Sequence, residues 1–355
     1  MSTTSVSVIV PTFNRIGFVE TAITSVIEQD HEPLEVIAID DGSTDDTARL
    51  LAAIARRTDP ARFRWFRHEN VGQAATINRG FEVSTGDLLG YLSSDDYLLP
   101  GAVSRLAEAI DARPEVDVVY PWFRVVDLQD REVDTMQPIE HSFARSLAWA
   151  AAQPGVGALV RREYYERIGG WDTRYKFVPD FEWWLRSRDA RFLCVPTVLG
   201  AFRTHDGSMT ARGYELEKLR ERIRLLDQIY EAEDLPEDAI AVKHQAYAAA
   251  LIVSALVLDG PAMLRDDRRF LVEDRLGPIW SRRAREGSAR GWLLLAGALR
   301  SAEGQLSAAL QKVEQLEQAL TVLEDAGRWR EECIATMKAE IETLRALVNA
   351  PSQSA

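Results

Sequence analysis

The chain has 355 residues, of which 46% are hydrophobic, and a formal net charge of −13. This length is enough to bury a sizeable core over two or three structural units. The negative charge argues against a nucleic-acid partner, because proteins bind phosphate backbones through an excess of Lys and Arg. The two cysteines, Cys194 and Cys333, match no metal-ligand spacing or disulfide framework, which is typical of a reducing compartment.

Neither an export signal nor a membrane span is predicted from the sequence. The N-terminal residues lack a basic stretch before their short apolar run, and this run is better explained as a first β-strand than as a signal peptide. The longest apolar run, residues 246–258, is shorter than the ~20 residues that a membrane-spanning helix requires. We therefore expect a cytoplasmic protein.

Short β-branched runs alternate with amphipathic helical segments up to about residue 212. This alternation is typical of an α/β unit with a largely parallel sheet. We predict strands at residues 6–10, 34–39, 63–66, 88–92, 116–120 and 192–199. We predict helices at residues 18–28, 45–55, 74–83 and 101–110.

Beyond residue 213 the strand pattern ends, and amphipathic helices are predicted at residues 214–230 and 240–258. The segment 280–300 combines several arginines with Trp280 and Trp292. We interpret it as one face of a helical domain, and the alternative is docking on an anionic membrane surface.

A heptad repeat runs from residue 306 to residue 348 and predicts a C-terminal coiled coil. Only Gly327 and Arg330 interrupt its apolar stripe, which predicts a local break there. β-branched residues at the a positions and leucines at the d positions favour a parallel homodimer, although the helix could instead fold back on its own domain. The predicted organisation is an α/β domain at 1–212, a helical domain at 213–300, a coiled coil at 301–348 and a disordered tail at 349–355.

Two predicted strands end in pairs of carboxylates. The strand at 34–39 runs into Asp40 and Asp41, and Asp95 and Asp96 follow the strand at 88–92. Ligands of open α/β sheets bind outside the carboxyl ends of the parallel strands. We therefore expect both pairs in one cleft, where a nucleotide and its metal would bind.

These motifs, in their order and spacing, resemble those of the family 2 glycosyltransferases of the GT-A fold over about residues 5–210. SVIVPTFNR is similar to the opening strand and turn of that family, and DDGSTDDT to its base-binding strand end. By this resemblance Asp41 would accept the N3 hydrogen of a uracil or thymine, since a carboxylate is an acceptor only. The nucleotide-binding residues that the resemblance implies are Pro11, Thr12, Arg15, Asp41 and Asn78.

The metal site of that family usually reads Asp-x-Asp-Asp, whereas this chain has Ser-Ser-Asp-Asp at residues 93–96, so Ser93 replaces the first carboxylate. The resemblance implies that Asp95 binds a divalent ion, Mg²⁺ or Mn²⁺, which bridges the diphosphate, with Asp96 in support. A later segment, FRTHDGSMT, is similar to a family loop in which His205 would complete the metal shell or contact the diphosphate. A purely structural role is the alternative for His205.

The segment at 169–186, GGWDTRYKFVPDFEWWLR, resembles the acceptor loop of the family and the acidic pair that follows it at a helix start. Pro179 stands in place of the first acid, so the comparison depends on Asp180. Asp180 would be the general base that takes a proton from the acceptor hydroxyl, and the alternative is a helix N-cap. Trp171 and Asp172 would bind the acceptor, with Trp171 stacked on a sugar ring.

The sequence thus predicts a metal-dependent, hexosyltransferase-like enzyme. It would be an inverting glycosyltransferase that moves a sugar from a UDP- or dTDP-sugar to a carbohydrate or lipid-linked acceptor. Such transfers occur in the synthesis of bacterial surface polysaccharides. We expect the enzyme in the cytoplasm or at the inner face of the membrane. A nucleotidyltransferase would require a Gly-rich, basic loop after the first strand, which PTFNR is not. The alternative is a non-catalytic assembly protein that presents the coiled coil, and the replacement at Ser93 leaves it open.

Overall fold

A computed structural model of the chain describes residues 4–138, 141–149, 154–205, 215–232, 234–243 and 246. They divide between two compact units, one within residues 1–146 and 151–208 and the other within residues 147–150 and 209–355. The predicted coiled coil, the C-terminal tail and the basic segment at 280–300 lie outside the described residues. The predicted domain boundaries therefore stay predictions.

The described residues of the first unit form a nine-stranded sheet. Its strands are β1 (Val6–Thr12), β2 (Leu34–Asp40), β3 (Phe63–Arg67), β4 (Leu88–Tyr91), β5 (Tyr97–Leu98), β6 (Val118–Val126), β7 (Glu132–Met136), β8 (Leu159–Arg161) and β9 (Phe192–Arg203). The strand order is β3-β2-β1-β4-β8-β6-β9-β5, and β7 pairs with β6. Every strand that the sequence predicts is present, and β6 and β9 extend several residues beyond their predicted ends.

The sheet is mixed, which corrects the prediction of a largely parallel one. Pairing is parallel from β3 through β2 and β1 to β4, and again between β6 and β9. It is antiparallel where β8 joins β4 to β6, where β5 joins β9 and where β7 joins β6. The antiparallel strands β5 and β8 are too short to show a period-two pattern, and β7 is mostly exposed, so the sequence did not reveal them.

Helices flank this sheet. They are α1 (Val19–Ile27), α2 (Thr47–Arg57), α3 (Gln73–Val83), α4 (Ala102–Asp111), α6 (Arg162–Ile168) and α7 (Pro179–Arg186). The helix α5 (Phe143–Trp149) crosses the boundary between the two units. The helices predicted at 18–28, 45–55, 74–83 and 101–110 correspond to α1 through α4 and are confirmed.

The second unit contains α8 (Glu215–Tyr230) and α9 (Glu237–Ala241) among its described residues. The helix α8 confirms the one predicted at 214–230, whereas most of the helix predicted at 240–258 lies outside the described residues. In the part of the chain that the structure describes, no helix is both long and apolar enough to cross a membrane.

Alternating side chains of the strands fill a core on each face of the sheet. On one face Val8 packs in the same buried cluster as Ile23 of α1. On the other face Ile9 shares a cluster with Ile77 of α3 and Trp183 of α7. Because both faces are covered, the open edge at the carboxyl ends of β1, β2 and β4 is where polar residues of the loops can meet a ligand.

Candidate active site

The turns that follow β1 and β2 are bonded side by side. Oδ1 of Asn14 accepts the backbone N–H of Thr44 at 2.8 Å, and the N–H of Asn14 donates to Oγ of Ser43 at 2.9 Å. Asn14 has a φ of 53°, in the left-handed region that Asn tolerates through local hydrogen bonds of this kind. These bonds fix the start of the loop that carries Arg15 beside the turn that follows Asp41.

Asp41 organises the loop that follows β3. Its carboxylate accepts the backbone N–H of Val71 at 2.7 Å through Oδ1 and that of Gly72 at 3.0 Å through Oδ2. Nδ1 of His68 lies 3.4 Å from Oδ1. Because a carboxylate oxygen can accept more than one hydrogen bond, Oδ2 retains capacity for a further donor. The predicted contact of Asp41 with an imide N–H is compatible with this arrangement and stays a prediction.

Three buried side-chain atoms at this edge have no hydrogen-bond partner among the described residues. They are Oγ1 of Thr12, the last residue of β1, Oδ2 of Asp40, the last residue of β2, and Nε2 of His68. Oδ2 of Asp40 lies 3.3 Å from Nε of Arg67. Thr12 is 2% exposed. Thr12 pairs in register with Asp40, whose carbonyl oxygen accepts the backbone N–H of His68 at 3.1 Å. Buried polar groups are nearly always satisfied in folded proteins, so these atoms indicate a place where a ligand or water supplies the missing partner. Pro11, also predicted to line the nucleotide, lies buried within β1 and pairs in register with Ile39.

Asn78, on α3, is bonded to the loop that precedes α7. Its Oδ1 accepts the backbone N–H of Trp171 at 2.8 Å and the hydroxyl of Tyr165 at 3.1 Å. Its Nδ2 donates to the carbonyl oxygen of Trp171 at 2.8 Å. Asn78 thus has a structural function in tying these elements together, and its predicted contact with a nucleotide stays a prediction.

Asp95 lies in the turn between β4 and β5, where three separate segments converge. Its Oδ2 is 3.1 Å from Nε2 of His205 and 3.7 Å from Nε of Arg15. The imidazole of His205 also stacks on the ring of Phe18, with centroids 4.7 Å apart. The structure therefore brings together three of the residues that the sequence analysis assigned to the nucleotide and its metal.

Asp96, beside it, is 5% exposed, and its Oδ1 accepts the backbone N–H of Arg203 at 2.9 Å. Burial raises the pKa of Asp96 well above its ordinary value, and the charge of Asp95 raises it further, against the opposing hydrogen bond and charge of Arg203. The folded protein therefore disfavours the ionised form of Asp96.

These residues fit a divalent ion that takes part of its coordination from a substrate. Asp95 and Asp96 offer the oxygen donors that Mg²⁺ and Mn²⁺ prefer, and His205 adds a nitrogen. Among the described residues, however, no group of three or more His, Cys, Asp or Glu is arranged to hold an ion. The carbonyl of Ser93 accepts the N–H of Asp96 at 3.0 Å and so closes the turn. An ion here would need further oxygen ligands, as a bound diphosphate supplies them.

Asp180 is the second residue of α7. Pro179 occupies the first helical position, where its missing N–H costs nothing, and the N-cap residue is Val178. The alternative that Asp180 is itself the N-cap is therefore wrong. Its Oδ1 accepts the backbone N–H of Phe181 at 2.8 Å.

Tyr91, the last residue of β4, connects Asp180 with the acidic turn. Burial raises the pKa of Tyr91 well above its ordinary value, and the charges of Asp180 and then Asp96 raise it further. Both carboxylates therefore lie within electrostatic reach of one tyrosine hydroxyl. The sequence analysis did not single out Tyr91, because an aromatic residue in a predicted strand usually belongs to the core.

The predicted acceptor residues lie beside Tyr91. Trp171 is 5% exposed and packs edge-on against the Tyr91 ring, with centroids 4.8 Å apart. Asp172 is paired with Arg174, whose Nη2 lies 2.6 Å from Oδ2, and this hydrogen bond holds the pKa of Asp172 below its ordinary value. The ring of Trp171 belongs to the buried core, so its stacking on a sugar, like the acceptor contact of Asp172, stays a prediction.

Comparison with known proteins agrees with this geometry. Residues 7–169 match the family model described as Glycosyl transferase family 2. Over 104 residues the chain is 39% identical to the GalNAc(5)-diNAcBac-PP-undecaprenol beta-1,3-glucosyltransferase of Campylobacter jejuni, an alignment that covers 29% of this chain and 33% of that enzyme. The chain spans about half the length, or less, of several curated relatives that it matches.

Two solved structures resemble this one over nearly the whole chain. S. aureus TarS 1–349 in complex with UDP-GlcNAc is 16% identical, with a TM-score of 0.56, and the match covers 98% of this chain and 92% of that one. A mannosyltransferase of Pyrobaculum calidifontis in complex with GDP-Man and Mn²⁺ is 18% identical, with a TM-score of 0.52, covering 99% and 88%. At these identities the likeness shows a shared GT-A-like fold. By its sequence, the segment at residues 7–169 belongs to glycosyl transferase family 2.

Proposed function

We propose that this chain is an inverting glycosyltransferase that moves one sugar from a UDP- or dTDP-sugar to a carbohydrate or lipid-linked acceptor. The observation that carries the proposal is the meeting of Arg15, Asp95 and His205 at the carboxyl end of β4, with Tyr91 in electrostatic reach of both the acidic turn and Asp180. These observations support one site, in which a group that can stabilise a leaving diphosphate would act together with a carboxylate that can act as a base.

The nucleotide would lie along the ends of β1 and β2. The unpartnered Oγ1 of Thr12 and the remaining acceptor capacity of Asp41 support this assignment, to which the resemblance adds Pro11 and Asn78. A carboxylate can only accept hydrogen bonds, so it favours uracil or thymine, which present an N–H at N3, over a base that presents an acceptor at that position. Arg15 would donate to the phosphates, since guanidinium groups bind such oxygens through charge-assisted hydrogen bonds.

Asp95, Asp96 and His205 would hold the divalent ion. When bound, Mg²⁺ or Mn²⁺ would offset the negative charge that develops on the departing diphosphate. The Mn²⁺ in the Pyrobaculum mannosyltransferase structure supports the choice of metal. Arg15, 3.7 Å from Asp95, would add positive charge at the same place.

Asp180 would act as the general base. It would take the proton of the acceptor hydroxyl while that oxygen forms a bond to the anomeric carbon and the bond from this carbon to the diphosphate oxygen breaks, so that the anomeric configuration inverts. Its place in the first turn of α7 supports an ionised carboxylate, because the N-terminal end of a helix stabilises negative charge. Trp171 and Asp172 would position the acceptor.

A lipid-linked acceptor is supported by the Campylobacter jejuni relative, whose name includes an undecaprenol diphosphate substrate. Such an acceptor would place the protein at the cytoplasmic face of a membrane, with the segment 280–300 as the contact surface. Flotation with anionic vesicles tests this location, and the account expects binding that weakens with salt. Absence of vesicle binding would leave a cytoplasmic protein and a water-soluble acceptor.

The segment 301–348 would join two chains as a parallel coiled coil, with a catalytic domain on each. Removal of the chain after Arg300 should then give a monomer that still transfers sugar, because every proposed site residue precedes residue 206. Light scattering of the two proteins measures the change. A monomeric full-length chain would contradict the dimer.

A donor screen tests the proposed function as a whole. The chain is incubated with Mn²⁺ and a panel of UDP-, dTDP- and GDP-sugars, and the release of nucleoside diphosphate by slow donor hydrolysis is measured. The account expects release from a UDP- or dTDP-sugar. A non-catalytic assembly protein would instead bind the nucleotide but neither hydrolyse a donor nor transfer its sugar to any acceptor. That outcome would contradict the proposal.

A further inference from the structure

Arg203, at the end of β9, is a buried cation that the proposed reaction does not use. The residue is 4% exposed. The central carbon of its guanidinium lies 5.6 Å from the ring centroid of Phe18 and 5.5 Å from that of Tyr97. Contact of aromatic rings with a guanidinium plane leaves the N–H groups around its rim for hydrogen bonds. Arg203 is therefore an internal group rather than one that reaches into solvent for a phosphate.

The N–H groups of Arg203 connect two turns. Its Nε donates to the carbonyl oxygen of Asp95 at 3.1 Å, and its backbone N–H donates to Oδ1 of Asp96 at 2.9 Å. Its Nη1 donates to the carbonyl oxygen of Asp127 at 3.3 Å, and its Nη2 lies 2.7 Å from Oδ1 of Asp130. One residue thus joins the acidic turn after β4 to the turn between β6 and β7.

The turn between β6 and β7 is held by bonds of its own. Oδ1 of Asp127 accepts the backbone N–H of Gln129 at 2.9 Å and that of Arg131 at 3.1 Å. The side chain of Arg131 also pairs with Oδ2 of Asp127, at 2.7 Å from Nη2. Because these contacts do not involve Arg203, the turn offers a fixed anchor for it.

We propose that Arg203 is a positioning residue for the donor site. By binding the carbonyl of Asp95 and anchoring it to the β6–β7 turn, Arg203 holds two adjacent, mutually repelling carboxylates in the arrangement that a diphosphate-bound divalent ion requires. Residues that orient the ligands of a metal commonly change the affinity for that metal by about 10- to 100-fold when they are removed. The inference rests on the proposed function, and it assigns no contact between Arg203 and the donor.

The affinity for UDP, measured by calorimetry with Mn²⁺ and separately with EDTA, tests this role. Arg203→Gln should weaken the Mn²⁺-dependent affinity by ~10-fold or more, the usual effect of losing such a partner. Arg203→Lys should recover only part of it, because one ammonium cannot reach all the acceptors that the guanidinium spans. Asp130→Asn, at an exposed position of the anchor, should cause a smaller loss in the same direction. The affinity in EDTA should not change in any variant.

Arg131→Gln is the matched control, since it removes an ion pair from the same turn without touching Arg203. Its UDP affinity should equal that of the unaltered chain. Unchanged Mn²⁺-dependent affinity in Arg203→Lys and Asp130→Asn would overturn the positioning role, and so would equal losses in Asp130→Asn and Arg131→Gln. If Arg203→Gln does not fold, the test depends on Arg203→Lys and Asp130→Asn. Failure of the unaltered chain to bind UDP at all would instead contradict the proposed function.

Discussion

Acidic residues flank both ends of β4, and the two ends differ in how the protein treats them. Before the strand, the carboxylate of Asp87 accepts hydrogen bonds from the hydroxyl of Ser5 at 2.6 Å and from the backbone N–H of Ser5 at 3.1 Å. These bonds lower the pKa of Asp87, and the bond from the hydroxyl has the larger effect. After the strand, burial and the charge of Asp95 raise the pKa of Asp96. At the amino end of β4 hydrogen bonds favour the ionised carboxylate of Asp87, whereas at the carboxyl end burial and a like-charged neighbour disfavour that of Asp96.

The neighbouring strands show the same difference. At the amino end of β2, burial would raise the pKa of Glu35, but hydrogen bonds from Ser7, Thr85 and Arg64 lower it overall. At the opposite end of the sheet, Thr12 has a buried hydroxyl without a partner among the described residues. The two ends of the sheet therefore differ in how far hydrogen bonds satisfy these two buried side chains, and the end with the unpartnered hydroxyl is the better candidate for a ligand site.

The largest expected effect is at Asp180. Asp180→Asn should lower turnover by ~10² or more while UDP affinity stays nearly unchanged, because a general base contributes only in the transition state. Steady-state kinetics and calorimetry on the same preparation measure both quantities. The control is Glu35→Gln, at the amino end, which should keep its turnover. Wild-type turnover in Asp180→Asn would remove Asp180 from the mechanism.

Asp95 and Asp87 form a matched pair for the second prediction. Asp95→Ala should abolish the increase in UDP affinity that Mn²⁺ produces, because the diphosphate then loses the ion that its charge requires. Asp87→Ala should keep that increase, although it loses its bonds to Ser5. Calorimetry with and without Mn²⁺ gives the comparison. A full response to Mn²⁺ in Asp95→Ala would show that the metal is held elsewhere.

Asp41 should produce a smaller and different effect. Asp41→Asn should weaken UDP and dTDP binding alike by ~10-fold, the loss of one charge-assisted hydrogen bond, without removing the response to Mn²⁺. CDP binding serves as the control for base recognition, because cytosine presents an acceptor at N3 where uracil presents an N–H. Since Asp41 also holds the loop at Val71 and Gly72, the melting temperature is recorded alongside. Equal losses for UDP and CDP would contradict a contact with the imide.

The smallest functional effect is expected at Glu35. Glu35→Gln should lower the free energy of unfolding by about 1 kcal/mol, through weaker hydrogen bonds to its neutral amide, and leave turnover unchanged. Since the folded-state pKa of Glu35 is lowered, its ionised form stabilises the fold above the ordinary pKa of Glu, and this stabilisation is lost as the pH falls through the lowered value.

Urea denaturation from pH 7 downwards measures that dependence in both proteins. The difference in stability between the unaltered chain and Glu35→Gln should shrink as the pH falls. A difference that grows at low pH would contradict the sign of the pKa shift.

The sequence predicted those parts of the molecule whose signals are local. The strands β1 to β4 are short apolar runs and the helices α1 to α4 carry a helical periodicity, and the acidic residues after β2 and β4 follow directly from the ends of their strands. The short strands β5 and β8 have no such pattern. The bonds of Asn78 to Trp171 and of Arg203 to Asp95 join residues far apart in the chain, so only the folded structure reveals them.

Hydrogen–deuterium exchange with and without UDP and Mn²⁺ tests the central comparison most directly. The account predicts that the ligands slow exchange at the carboxyl ends of the strands, within residues 12–15, 41–43, 68–72 and 93–97. It predicts no change at the amino ends, within residues 5–7, 34–36 and 85–88. Protection at the amino ends, or uniform protection of the whole sheet, would contradict the assignment of the donor site to the carboxyl ends of β1, β2 and β4.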